Sequence, residues 1–222
     1  MARALAPIKE AYRVILESGF LKPRQMATDP KDSKSQIRAQ IRPEIKRISS
    51  EERLRLSQIA CERLQQQAPW QNARAILFYA PTADELDVSP LWSAAISERK
   101  VIALPQFNPE KGEYVAGLLL NAGQPLVRGQ FGIPEPPSDS PPLSLNPLDL
   151  VLVPGVAFDL SGRRLGRGYG YYDRMLAKVR GIKCGVAFDQ QVQAELPAES
   201  HDVRVDCILT PTRWFDFASA RF

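Results

Sequence analysis

The residues best equipped for chemistry lie between Val153 and Leu176, where the chain reads VPGVAFDLSGRRLGRGYGYYDRML. Gly166, Gly168 and Gly170 alternate with Arg167 and Tyr169 just ahead of an expected helix start near Tyr171. Glycines let backbone amides approach phosphate oxygens, which a helix N-terminus also attracts. Arg163, Arg164 and Arg167 add positive charge for an anion. Asp173 supplies a hard carboxylate of the kind that holds magnesium beside phosphates. Polyphosphate binding is the chemistry to expect. A glycine-rich turn with solvated arginines is the plainer alternative, because the spacing is GxGxGYYD and neither GxxxxGK[ST] nor GxGxxG is present.

Other residue types narrow the choice. His201 is the one histidine in 222 residues, so sites needing two histidines are excluded, and a Ser-His-Asp or Cys-His relay would have to pass through it. Cys61, Cys184 and Cys207 are scattered and contain no CxxC pair. That excludes a disulfide framework and a cysteine zinc site, and it favours a reducing, cytoplasmic setting. No apolar run approaches the roughly 20 residues of a membrane span. Residues 1–67 hold 14 Lys/Arg against 8 Asp/Glu, whereas the remainder holds 15 against 17. Such a basic lobe would steer nucleic acid or nucleotide phosphates, or would simply be a solvated helical surface.

The elements that must position the loop follow from periodicity. A helical-looking piece, Glu10 to Phe20, ends in the breakers Lys22-Pro23 and Thr28-Asp29-Pro30, so residues 1–30 read as an extension and 31–222 as one domain. From Asp32, a candidate N-cap, Ile37, Ile41, Ile45 and Ile48 recur at helical spacing, and Pro43 predicts a kink or break. Ser49 and Glu52 have capping-box spacing for a second helix carrying Leu56, Ile59, Ala60 and Leu64 on one face. Ala75 to Tyr79 and Val101 to Leu104 read as strands around a helix from Pro90 to Glu98. Tyr114 to Leu120 is a further strand candidate, and Pro134 to Pro147, with six prolines, reads as an irregular surface connection. Leu148 to Val153 is continuously apolar, as a strand buried on both faces is. A helix to Val179 and strands Lys183–Phe188 and Asp206–Leu209 complete the pattern. The fold class expected is α/β: an open, largely parallel sheet flanked by helices, with two N-terminal helices packed on it.

The string Val153-Pro154-Gly155, followed by Arg164-Leu165-Gly166-Arg167-Gly168-Tyr169-Gly170-Tyr171-Tyr172-Asp173, resembles the signature of the 5-formyltetrahydrofolate cyclo-ligase family, also called 5,10-methenyltetrahydrofolate synthetase. Tyr169 stands where that family's pattern has glycine or lysine. The resemblance extends from about Lys34 to Thr210 in the same order. It includes a lysine and an arginine four residues apart (Lys34, Arg38), an acidic segment after the first strand (FYAPTADELD, Phe78 to Asp87), an aromatic-x-Ile-Pro segment (Phe131-Gly132-Ile133-Pro134), and the terminal run His201-Asp202-Val203-Arg204-Val205-Asp206.

What this resemblance implies is an enzyme that uses ATP to convert 5-formyltetrahydrofolate to 5,10-methenyltetrahydrofolate, releasing ADP and phosphate through a phosphorylated formyl intermediate. It implies ATP contacts from Lys34, Arg38, Arg164, Leu165, Gly166, Arg167, Gly168, Tyr169, Gly170, Tyr171 and Tyr172, with Arg164 and Lys34 as the catalytic charges. Folate contacts would come from Glu85, Phe131, Tyr171 and Tyr172, and magnesium would be held by Asp173 and Asp206. Asp84 competes with Glu85 for the pterin-facing role, while Asp87 suits a helix-entry acid. Arg164→Ala is expected to slow turnover with little loss of folding. The partners implied are the folate and ATP, with no membrane, no obligatory nucleic acid and a monomeric, cytoplasmic protein. The alternative is a non-catalytic nucleic-acid-binding protein on the same fold, using the basic lobe.

Overall fold

The apolar spacing of Ile37, Ile41 and Ile45 folds the start of the computed structural model into helix α1, Pro30–Lys46. The structure describes residues 30–217, and the helical piece expected at Glu10 to Phe20 lies outside them. Asp32 sits in the first turn of α1 and is not its cap, and Pro43 does not break it. Pro43 is exposed near the helix end, and Ala39, whose carbonyl it leaves unpaired, is also exposed, so solvent can satisfy that group. Arg53 Nη2 donates to the carbonyls of Ile45 (3.0 Å) and Ile48 (3.3 Å), closing the end of α1. Helix α2, Ser50–Gln65, is capped as expected by Ser49, whose Oγ accepts the Glu52 amide at 3.1 Å, but the Glu52 carboxylate pairs with Arg55, so the reciprocal half of the box is not formed.

After a short unexpected helix α3 (Ala68–Asn72) come β1 (Ala75–Leu77), α4 (Pro90–Ser97), β2 (Val101–Asn108) and β3 (Glu113–Leu118). The proline-rich stretch is more regular than expected: after β4 (Val127–Arg128) it contributes β5 (Pro134–Glu135) and β6 (Pro142–Leu143). Both lie at the margins of sheets, where a missing N–H is tolerated. Then follow β7 (Leu150–Pro154), β8 (Ala157–Asp159), β9 (Arg164–Leu165), α5 (Tyr171–Leu176), β10 (Ile182–Val186), β11 (Val192–Gln193), β12 (Cys207–Leu209) and β13 (Trp214–Asp216).

The main sheet has eight strands in the order β13-β12-β10-β7-β1-β2-β3-β6. Its five central strands pair in parallel, and β13, β3 and β6 are antiparallel additions. The expected α/β class, with a largely parallel sheet and two N-terminal helices packed on it, is the fold observed. Successive residues of the central strands face opposite sides. Ile76, Ile102, Leu150 and Leu152 join Ile41, Ile45, Leu64 and Trp70 on one face. Leu77, Ala103, Val151 and Val153 join Met175, Leu176 and Phe215 on the other. Helices α1 to α4 therefore cover one side and α5 the other.

A hairpin read only as loop in the sequence, β8 and β9, forms a small sheet with β11 at the carboxyl end of β7. Its turn is organised by buried Asp159, whose Oδ1 accepts the amides of Ser161 (2.8 Å) and Arg163 (3.0 Å), while Oδ2 accepts the Leu196 amide at 2.8 Å. Phe158 seats the hairpin by passing between Gly155 and Gly185, where added β-carbons would lie 2.7 Å and 2.6 Å from its ring. From β1 the chain turns outward to β2 and β3, then returns to β7 on the other side of β1. The strand order reverses between β1 and β7, which is where ligands bind in open α/β sheets.

Candidate functional site

A cavity of about 550 Å³ opens at that reversal, above Tyr79 and Ala80 after β1 and Pro154 and Gly155 at the end of β7. Its size suits a nucleotide-sized or folate-sized ligand. The glycine-rich loop forms one wall. Gly168 (φ 106°) and Gly170 (φ 67°) adopt backbone conformations open mainly to glycine. Helix α5 begins at Tyr171 but has six residues and stops short of Val179. Positive charge here consequently rests on side chains more than on a helix dipole.

Arg164 is not a solvated loop arginine. It belongs to β9, its side chain is 4% exposed, and its Nη2 lies 3.0 Å from both carboxylate oxygens of Asp173. Its guanidinium covers the ring of Tyr172 at 5.5 Å, and its buried Nε has no partner. Leu165 lines the cavity, and its side chain also joins the core. Arg38 reaches across from α1 to donate from Nε to the Gly166 carbonyl at 2.9 Å. One helical turn earlier, Lys34 Nζ lies 2.7 Å from Glu199 and 2.7 Å from Asp202. Burial pulls the Lys34 pKa down, but the hydrogen bonds and charges of Asp202 and Glu199 outweigh it, and the ammonium titrates above the ordinary lysine value. The lysine in turn holds Glu199 below the carboxylate range, and it overcomes burial to do the same for Asp202. Burial, then the neighbouring charge of Arg42, lowers Arg38.

Opposite these cations stands Glu85. Its Oε2 accepts the Thr82 amide at 2.9 Å, and its Oε1 pairs with Arg167 Nη2 at 3.1 Å. Glu85 lines the cavity whereas Asp84 does not, and Asp87 accepts the Ser89 amide at 2.8 Å beside the start of α4. Of the two acids left open by sequence, the structure brings Glu85 to the cavity. The outer wall is aromatic. Tyr171 meets Tyr114 edge-on at 5.5 Å and Phe107 at 5.9 Å, and Phe131 stacks on Tyr169 at 4.6 Å with 17° between the rings. Buried Tyr79 and part-buried Tyr172 are both pushed up in pKa, chiefly by desolvation and next by Glu85, so both phenols stay protonated.

One expected ligand does not arrive. Asp206 precedes β12 and therefore sits at the amino end of that strand, where its Oδ2 accepts the Lys183 amide at 2.9 Å. The cavity is at the carboxyl ends of the same parallel sheet, so Asp206 does not line it. Asp202 lines the cavity instead. Asp202 comes late in the crossover from β10 to β12, and the few residues after it descend to Asp206 at the amino end of β12. The Val203 amide points at Asp173 Oδ1 (3.4 Å), which sets Asp202 beside Asp173. Glu199, Thr82, Tyr79 and Tyr114 also line the cavity and were not singled out in the sequence. A strand-direction argument would have excluded Asp206, but nothing local marks Asp202 or the other four.

The magnesium assignment can be tested on this donor set. Asp173, Asp202 and Glu199 offer hard oxygens in one cavity, and Glu199, His201 and Asp202 bring ligand atoms within 4.8 Å of one another. That set fits magnesium carried by a nucleotide, whose phosphates would complete the coordination. A site of Asp173 with Asp206 does not fit.

Lys34 and Arg38 turn into the cavity and so leave the basic face on which the nucleic-acid reading depended. Among the described residues, no helix is long and apolar enough to cross a membrane. Fold and cavity together define an α/β protein with a cationic, glycine-lined cleft at its strand-order reversal, opening through aromatic walls. Residues 30–211 match the family model for the 5-formyltetrahydrofolate cyclo-ligase family, and the chain belongs to that family. It is similar to the 5-formyltetrahydrofolate cyclo-ligases of Haemophilus influenzae, at 33% identity over 79% of this chain and 98% of that one, and of Mus musculus, at 27% over 80% and 93%. The solved 5,10-methenyltetrahydrofolate synthetase of Aquifex aeolicus superposes with a TM-score of 0.75 at 34% identity, covering 83% of this chain and 92% of that chain.

Proposed function

We propose that the protein catalyses the ATP-dependent cyclisation of 5-formyltetrahydrofolate to 5,10-methenyltetrahydrofolate, with release of ADP and phosphate. The observation that carries this reading, beside the family, is the meeting in one cavity of Lys34, Arg38, Arg164 and Arg167 with the Glu85 carboxylate and an aromatic wall. The oxygen of an N-formyl group, bonded to its carbon, is a poor leaving group. Transfer of the γ-phosphoryl group of ATP to that oxygen breaks the bond to ADP and makes the oxygen a phosphate ester. The lone pair of N10 then attacks the formyl carbon, the C–O bond breaks with its electrons leaving on phosphate, and the N10 proton is released. Both nucleophiles belong to the substrate, so the protein's task is positioning and charge neutralisation. This agrees with a site whose one histidine, His201, is two-thirds exposed at its edge.

In this reading Lys34, Arg38, Arg164 and the Gly166–Gly170 loop neutralise the phosphates as charge shifts between them. Asp173 and Asp202, with Glu199, would hold a magnesium ion, which would supply further charge neutralisation. Glu85 accepts hydrogen bonds from the pterin NH and amino groups, and Phe131, Tyr171 and Tyr172 pack against its flat rings. The test is to mix the protein with magnesium ATP and 5-formyltetrahydrofolate and follow the methenyl chromophore in the near ultraviolet. ATP-dependent growth supports the assignment, and its absence with folded protein overturns it. Glu85→Gln keeps the shape and removes the charge, and is expected to raise the folate KM about tenfold or more. The same enzyme should keep its ATP KM within about twofold, and a change confined to ATP would sink the role of Glu85.

A further inference from the structure

Charges of the two proposed half-sites pair with each other across the cleft. Arg167, on the glycine-rich loop, donates from Nη2 to Thr82 Oγ1 at 2.6 Å and to Glu85 Oε1 at 3.1 Å. Its side chain is 42% exposed, and that of Glu85 is 13% exposed. Loop and acidic turn are 82 residues apart in sequence, so this contact bridges the two walls of the cleft. Tyr169 makes a second bridge from the same loop by stacking on Phe131.

We propose that Arg167, Thr82 and Glu85 form a latch that couples the two substrates: either ligand must open it, and the second then binds without that cost. This rests on the reading of Glu85 as the folate acid and the loop as the phosphate site. A pterin donating to Glu85 displaces Arg167, which is then free to swing on its flanking glycines toward phosphate. A nucleotide that draws Arg167 onto its phosphates leaves Glu85 with an open acceptor at Oε1. By linkage the two ligands must strengthen each other by the same factor. An ion pair this accessible sets that factor at about threefold to fivefold.

The arrangement of partners gives an unusual sign. Thr82→Val removes the neutral leg of the latch without touching either charge. It is expected to tighten 5-formyltetrahydrofolate alone by about twofold and to shrink the coupling. Arg167→Met removes the latch entirely. The folate alone should then bind about threefold more tightly, even as the nucleotide alone binds more weakly.

The experiment is calorimetric titration of the full chain with 5-formyltetrahydrofolate, with and without saturating β,γ-imido-ATP and magnesium, for wild type and both variants. The expected result is mutual tightening in the wild type, loss of that tightening in Arg167→Met, and stronger folate binding by the variant alone. Coupling of full size in Arg167→Met, or folate affinity unchanged or weaker in that variant, overturns the latch. Failure of the wild type to bind either ligand would instead strike at the proposed function, so the two failures are separable.

Discussion

Arg164→Met is expected to lower turnover by about 10²–10³-fold and, in the same protein, to cost about 3–5 kcal/mol of stability. The second effect reverses what the sequence suggests, namely a loop arginine whose truncation leaves folding intact. The guanidinium is buried in β9, pairs with both oxygens of Asp173 and lies over Tyr172. Removing it leaves the Asp173 carboxylate in a part-buried site without its cation. Urea unfolding of Arg164→Met, Asp173→Asn and the double variant separates the two roles. The double variant should regain much of the stability lost in Arg164→Met, because no unpaired charge remains, but none of the activity. A stable Arg164→Met protein with full turnover would remove Arg164 from both roles.

Lys34→Met should lower kcat/KM for ATP by about 10²-fold, the loss of one charge-assisted contact to phosphate. Its stability effect should depend on pH. Glu199 and Asp202 titrate below their ordinary values in the folded state because Lys34 holds their charged forms. Their contribution is therefore present above the unfolded carboxylate pKa and is lost as pH falls through the depressed one. Lys34 is raised above 10.5, so its contribution is full below that value and is lost only as pH rises past it. The melting-temperature gap between wild type and Lys34→Met should be flat from about pH 5 to pH 10 and close on the acid side below about pH 4. A gap that stays constant down to pH 2.5, or one that closes near pH 6.5 where a histidine titrates, would show that the cluster is not what Lys34 stabilises.

The two substitutions differ in what they reveal about the cleft. Arg164 is held inside the fold by a carboxylate nine residues away, and its loss is felt with or without ligand. Lys34 is held by acids 165 and 168 residues away, and a nucleotide would draw it from them onto phosphate while the freed acids face the metal. Nucleotide and metal arriving together would leave neither set of charges unpaired.

Sequence by itself determined the features that rest on local physics. The period of Ile37, Ile41 and Ile45, the cap at Ser49, the continuous apolar run ending at Pro154 and the alternating glycines of the loop each follow from the nearest few residues. Together these set the class of sheet and the expectation of an anionic ligand. Only the tertiary structure decided which charges meet. Asp202 and Asp206 are four residues apart, yet the descent of one crossover puts the first beside Asp173 and the second at the opposite end of the strands. Glu85 and not Asp84 lines the cavity for a similar reason, since the turn after β1 sends one of the two neighbours into it. The Arg167 latch on Thr82 and Glu85 was equally beyond a local reading. Periodicity specifies the face on which a side chain lies, whereas pairing between charges more than eighty residues apart is set by strand direction and strand order.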